Sequence, residues 1–139
     1  MSDKTPPMQV WPTLRARDAR ALIDFYVAAF GFDETVAYRD DHGRVVHAEL
    51  AWPHGGGIML GQGPHENPEH WPLQPGTFGG YAVVPDAADI DALFARAVAA
   101  GASVVQEPYD PGHGSWDCAV RDPEGNHWQF GTYRGAPRG

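Results

Sequence analysis

The chain has 139 residues, 42% of them hydrophobic and 20% charged, with a formal net charge of −8. That is enough apolar material for a single domain and excludes a chain disordered throughout. The acidic balance argues against nucleic acid as a partner, because such a partner demands a basic face. No apolar run approaches the roughly 18–20 residues that cross a bilayer. The opening MSDKTPPMQV has no basic stretch followed by an apolar one, so neither a membrane segment nor a secretory signal is expected. The lone Cys118 excludes an internal disulfide and a cysteine-based zinc cluster. A cytoplasmic location is the simple expectation.

In chain order, MQVWPTLR reads as a first strand. ARALIDFYVAAFG follows as a helix, with Leu22, Phe25, Tyr26, Ala29 and Phe30 on the i, i+3, i+4, i+7, i+8 stripe. Asp18 stands at its N-cap position and Gly31 just past its end. DETVAYR, RVVHAELAW and GGIMLG then read as three strands, broken by Asp41-His42-Gly43 and Pro53-His54-Gly55-Gly56. After GPHENPEHWPLQPGT the grammar repeats. GGYAVVP is a strand and DAADIDALFARAVAAG a helix striped by Ile90, Leu93, Phe94, Ala97 and Val98, with Asp86 and Gly101 at its ends. SVVQEPY, GSWDCAVR and NHWQFGTY close the series as strands.

Both halves therefore read β-α-β-β-β, and 70 positions separate Gly31 from Gly101. The expected fold class is α+β. Residues 8–62 and 78–134 form two βαβββ modules of one domain spanning 1–139, joined by a linker or lid at 63–77. Their strands form a curved mixed sheet that lines a cleft, with the helices on the outer face. One module alone buries too little surface, so the sheets are expected to meet within one chain or across a dimer partner, and the chain is expected to form a homodimer.

Strand alternation sorts the side chains. Val46, Ala48, Leu50 and Trp52, then Ile58 and Leu60, then Trp116, Cys118 and Val120, then Trp128, Phe130 and Thr132 are expected to face the helices. The wall of the cleft is expected to carry Trp11, Thr13, His47, Glu49, Met59, Tyr81, Val83, Asp117, His127 and Gln129. Aromatic platforms mixed with a few polar groups suit a small-molecule site. In the loop HENPEH, His65 and His70 stand five apart and so miss the helical zinc spacing, and Pro68 breaks a helix. The loop reads as a lid or a solvated turn, with Trp71 as its closing aromatic. Gly55-Gly56-Gly57 lacks the Lys-Ser/Thr of a phosphate loop and reads as a hairpin turn.

Paired βαβββ modules, the string LRARDARALIDFYVAAFGF and RDPEGNHWQFGTY near the C-terminus resemble the vicinal oxygen chelate superfamily, the glyoxalase, bleomycin-resistance and dioxygenase group. Its enzymes hold a divalent metal with His, Glu or Gln from the first and last strand of each module. Carried over by position, those places are Trp11, Met59, Tyr81 and Gln129. Tryptophan offers only a donor N–H, methionine a soft thioether, glutamine a neutral oxygen, and tyrosine must first lose its proton. The expectation is no metal there and no cofactor.

The glyoxalase/bleomycin-resistance group is the nearest likeness, and in its missing ligand set the chain is similar to the metal-free members. The resemblance implies a binding protein for an aromatic or cationic small molecule, with Trp11 and Tyr81 stacking and Glu49 and Asp117 setting polarity. The alternative is a metal-dependent lyase, isomerase or dioxygenase with a relocated site at His47, Glu49 and His127. His47 with a carboxylate also suits general acid–base chemistry. A non-catalytic interaction module is a third reading.

Overall fold

The protein is described from a computed structural model covering residues 10–65, 67–69, 71–112 and 114–137. Two four-stranded mixed sheets carry the architecture, and among the described residues no ladder joins one to the other. Sheet A orders β1 (Thr13–Ala16), β4 (Gly57–Gln62), β3 (Val45–Ala51) and β2 (Asp33–Arg39). Sheet B orders β5 (Gly79–Val83), β8 (His127–Gly131), β7 (Asp117–Arg121) and β6 (Ser103–Tyr109). In each, the first strand runs parallel to the fourth, and the other pairings are antiparallel. With α1 (Ala19–Phe25) and α2 (Ala87–Ala99) this is the expected α+β fold.

The helices begin where the sequence places them. The Asp18 carboxylate accepts the Ala21 N–H at 3.1 Å, satisfying one of the helix's orphan donors. Asp86 also occupies an N-cap, without a side-chain bond. Beyond Phe25 the chain widens into a π-helical turn, Tyr26–Phe30, ended by Gly31 in the left-handed region at φ 87°. The periodicity signals only an ordinary helix here.

The helix-facing sides of the two sheets share one core. Leu50, Ile58 and Leu60 of sheet A and Trp128 and Phe130 of sheet B belong to the same buried cluster as Leu22, Tyr26 and Phe30. Tyr26 meets Trp128 edge-on at 5.2 Å, Phe30 meets Phe130 at 4.8 Å, and Phe32 meets Trp52 at 4.8 Å. The Trp52 indole donates to the Val83 carbonyl at 2.8 Å, a hydrogen bond between the modules. The Tyr26 hydroxyl donates to Asp122 at 2.6 Å, tying the π-turn to the β7–β8 turn.

Four readings of the strands and stripes are corrected. Val45, not Val46, is buried, and Val46 is 45% exposed. The register of β2 against β3 slips between Tyr38 and Arg39, and that bulge inverts the alternation at the start of β3. Val98, expected on the core stripe of α2, is exposed. The first strand begins at Thr13, so Trp11 precedes it; Met8 and Gln9 lie outside the described residues. Asp117 and Ala119, on the side of β7 away from the helix, are nonetheless buried.

Candidate functional site

Each sheet turns one face away from the shared core, and the expected wall residues divide between those two faces. On sheet B, Tyr81 and Gln129 are register partners on β5 and β8. The Gln129 amide donates to Asp117 Oδ2 at 3.0 Å, and the Ser115 hydroxyl donates to Asp117 Oδ1 at 2.8 Å. Gly131 makes the arrangement possible. A Cβ there would collide with the Tyr81 hydroxyl and the Asp117 carboxylate, so both groups lie over bare backbone. The Tyr81 hydroxyl also accepts the Tyr133 N–H at 3.2 Å. Burial, and then the charge of Asp117, push the Tyr81 phenol above its ordinary pKa.

Asp117 is only 3% exposed. Its partners are all neutral donors, and among the described residues no cation is paired with it. Tyr81 beside it is 42% exposed.

On sheet A, Glu49 and Met59 are register partners, as are Thr13 and Met59. His47 Nε2 and Glu49 Oε2 are 2.8 Å apart, and the His47 ring stacks on Tyr38 at 6.1 Å. Trp11 lies against Gly57, where a Cβ would come 3.1 Å from its ring. His127, half-buried on β8, is the register partner of Gly79 and Arg121. Trp71 is half-buried, and its indole N–H has no acceptor among the described residues. Glu66 and His70 of the same loop lie outside the described residues.

The structure thus brings together Tyr81, Gln129 and Asp117, and separately Glu49, His47 and Met59. Among the described residues no hydrogen bond, ring contact or ladder joins these two sets. No three His, Cys, Asp or Glu side chains of the described residues gather where they could hold a metal, so one chain does not assemble His127 with His47 and Glu49. The donor set at Trp11, Met59, Tyr81 and Gln129 does not fit a hard divalent ion either. The Tyr81 phenol holds its proton more tightly than usual, and the Gln129 amide nitrogen is turned to Asp117. Cys118 is buried and burial pushes its thiol up to about 12, so it is no nucleophile.

The wall expected from the sequence left out Ser115, Tyr38 and Gly131, the glycine beneath Asp117. A signal existed: Gly61 and Gly131 stand 70 positions apart, the interval of the repeat. Sequence reasoning also missed an apolar groove of about 490 Å³ between the modules, lined by Trp52, His54, Phe32, Phe78, Tyr81 and Trp128. That groove opens beside the unpaired edge of β5.

Comparison with known proteins agrees with this architecture. The model of the Glyoxalase/Bleomycin resistance protein/Dioxygenase superfamily matches residues 9–130, and the chain belongs to that superfamily. An uncharacterized protein of Mycobacterium bovis is 35% identical over 122 residues, covering 86% of this chain and 80% of its own. Among solved structures, a family enzyme from Burkholderia phytofirmans superposes with a TM-score of 0.70 at 25% identity, covering 87% of this chain and 94% of the other. TioX from Micromonospora gives 0.68 at 28% identity, with 88% and 98% covered. TnmS3, an antibiotic binding protein from Streptomyces, shares the fold at 22% identity and a TM-score of 0.66, with 91% and 97% covered.

Proposed function

We propose that the chain is a metal-independent binding protein for a small aromatic or cationic molecule, and that Asp117 and Tyr81 on the open face of sheet B receive it. The observation that carries this reading is the carboxylate of Asp117. It is withdrawn from water, bonded among the described residues to neutral donors alone, and set beside the exposed residue Tyr81. Burying a charge without a counter-charge costs several kcal/mol unless something else supplies one. A ligand cation supplies it, and the Tyr81 ring adds about 0.5–2 kcal/mol of cation–π attraction. Trp11, Met59 and Glu49 serve the opposite wall.

Because those walls belong to sheets whose helix-facing sides share one core, the reading takes a second copy to close the cleft. Sheet A of one copy then faces sheet B of the other. Exposed Tyr38, Val46, Tyr81, Tyr109 and Tyr133 supply apolar surface for that contact. Small-molecule sequestration agrees with the antibiotic-binding neighbour.

The test is a thermal-shift screen of planar aromatic cations, their neutral analogues and divalent metals. Only binding to the folded state raises the midpoint. Cations that raise it in chelator-treated protein, and fail to in Asp117→Asn, support the reading; stabilisation by a divalent metal alone opposes it.

A further inference from the structure

We propose that Arg15 forms a second recognition point, on the open face of sheet A, which takes the carboxylate of a small organic monoanion. The inference deepens the receptor reading above by naming an anionic group in what is received.

A cavity of about 460 Å³ lies at the end of sheet A, lined by Arg15, Asp40, Arg44, Val46, Pro64 and His65, among others. Arg15 on β1 is the register partner of Gly61 on β4. A Cβ on Gly61 would come 2.6 Å from Arg15 Nη2, and one on Gly63 would come 2.6 Å from Arg15 Cβ. Two residues without side chains thus leave a trough, and the arginine lies along it. The bulge in β3 turns Val46 outward to give the cavity an apolar side.

The guanidinium in that trough is poorly matched. Nη2 donates to the Gln62 carbonyl at 2.7 Å, and Nε is buried without an acceptor. Among the described residues no carboxylate pairs with it. Arg44 differs, because Asp40 holds its Nε at 2.8 Å and balances its charge. Among the Arg, Lys, Asp and Glu side chains of the described residues that line it, the cavity therefore has one positive charge in excess, on Arg15, in a chain whose net charge is −8. Burial lowers the Arg15 pKa, which reports that its charge is partly stripped of water. A planar fork with spare donors is the complement of a planar carboxylate, and a single surplus charge favours a monoanion over a phosphate dianion.

The experiment compares benzoate, benzamide, benzamidine and inorganic phosphate by heteronuclear NMR titration of the full chain, alongside thermal melts. Benzoate is expected to shift the Arg15 Nε–H and the amides of 61–63, with benzamide at least about tenfold weaker. Arg15→Met is expected to lose benzoate binding with a melting temperature equal to or above the parent's, because it removes an under-bonded charge. Arg15→Lys keeps part of the affinity. Benzoate affinity unchanged in Arg15→Met, benzamide binding as well as benzoate, or a melting temperature lowered in Arg15→Met would each overturn the proposal. Phosphate binding more tightly than benzoate would overturn the carboxylate assignment. Benzamidine and Asp117→Asn separate the two readings: benzamidine failing to bind while benzoate binds through Arg15 removes the Asp117 reading and leaves this one standing.

Discussion

The carboxylate of Asp117 takes hydrogen bonds from Ser115 and Gln129, so asparagine keeps its shape while removing its charge. Asp117→Asn is expected to weaken a cationic aromatic ligand by about 1.5–3 kcal/mol, measured by calorimetric titration. The same change brings the Tyr81 phenol back toward its ordinary range, readable as an earlier phenolate absorbance in an alkaline titration. Gly131→Ala is expected to lose binding and stability together, since its methyl would displace both Tyr81 and Asp117. Tyr81 and Tyr26 are both raised by burial and by a neighbouring aspartate. A raised tyrosine pKa contributes stability that is whole below the unfolded value of about 10 and is lost as pH climbs toward the folded value. Urea midpoints are therefore expected to fall above about pH 10, less steeply in Tyr26→Phe.

At the scale of elements, the Asp122 carboxylate joins α1's π-turn to sheet B. It accepts from the Tyr26 hydroxyl, the Asn126 amide and the backbone N–H groups of Glu124 and Asn126. Asp122→Ala leaves several buried donors unpaired and is expected to cost about 3–5 kcal/mol in urea denaturation. Tyr26→Phe is expected to cost about 1–2 kcal/mol. The elements themselves were legible because local chemistry sets them: Asp18 caps, Gly31 ends the helix turn, and Leu22, Phe25 and Phe30 give the stripe. The bulge beside Val46 was not legible, because it arises from how β2 and β3 pair around the Asp40–Arg44 turn. Nor was the π-turn, since one extra residue per turn leaves nearly the same apolar pattern.

At the scale of the molecule, the repeat revealed two modules and pointed to Tyr81, and alternation placed Gln129, Glu49 and Met59 on open faces. It could not show that those faces belong to sheets sharing a core on their opposite sides, because that depends on contacts such as Trp52 with Val83 and Tyr26 with Trp128. Arg15 escaped notice for a similar reason: its isolation is a property of neighbours distant in sequence. A cleft closed by a second copy predicts a dimer in sedimentation equilibrium, with a monomer at all concentrations opposing it. The most direct measurement is a calorimetric titration of ethidium, a planar aromatic cation, into protein freed of metal by chelation. The account predicts saturable binding that added divalent metal leaves unchanged and that Asp117→Asn weakens by about 1.5–3 kcal/mol. Binding that appears only after a stoichiometric metal is restored would contradict it.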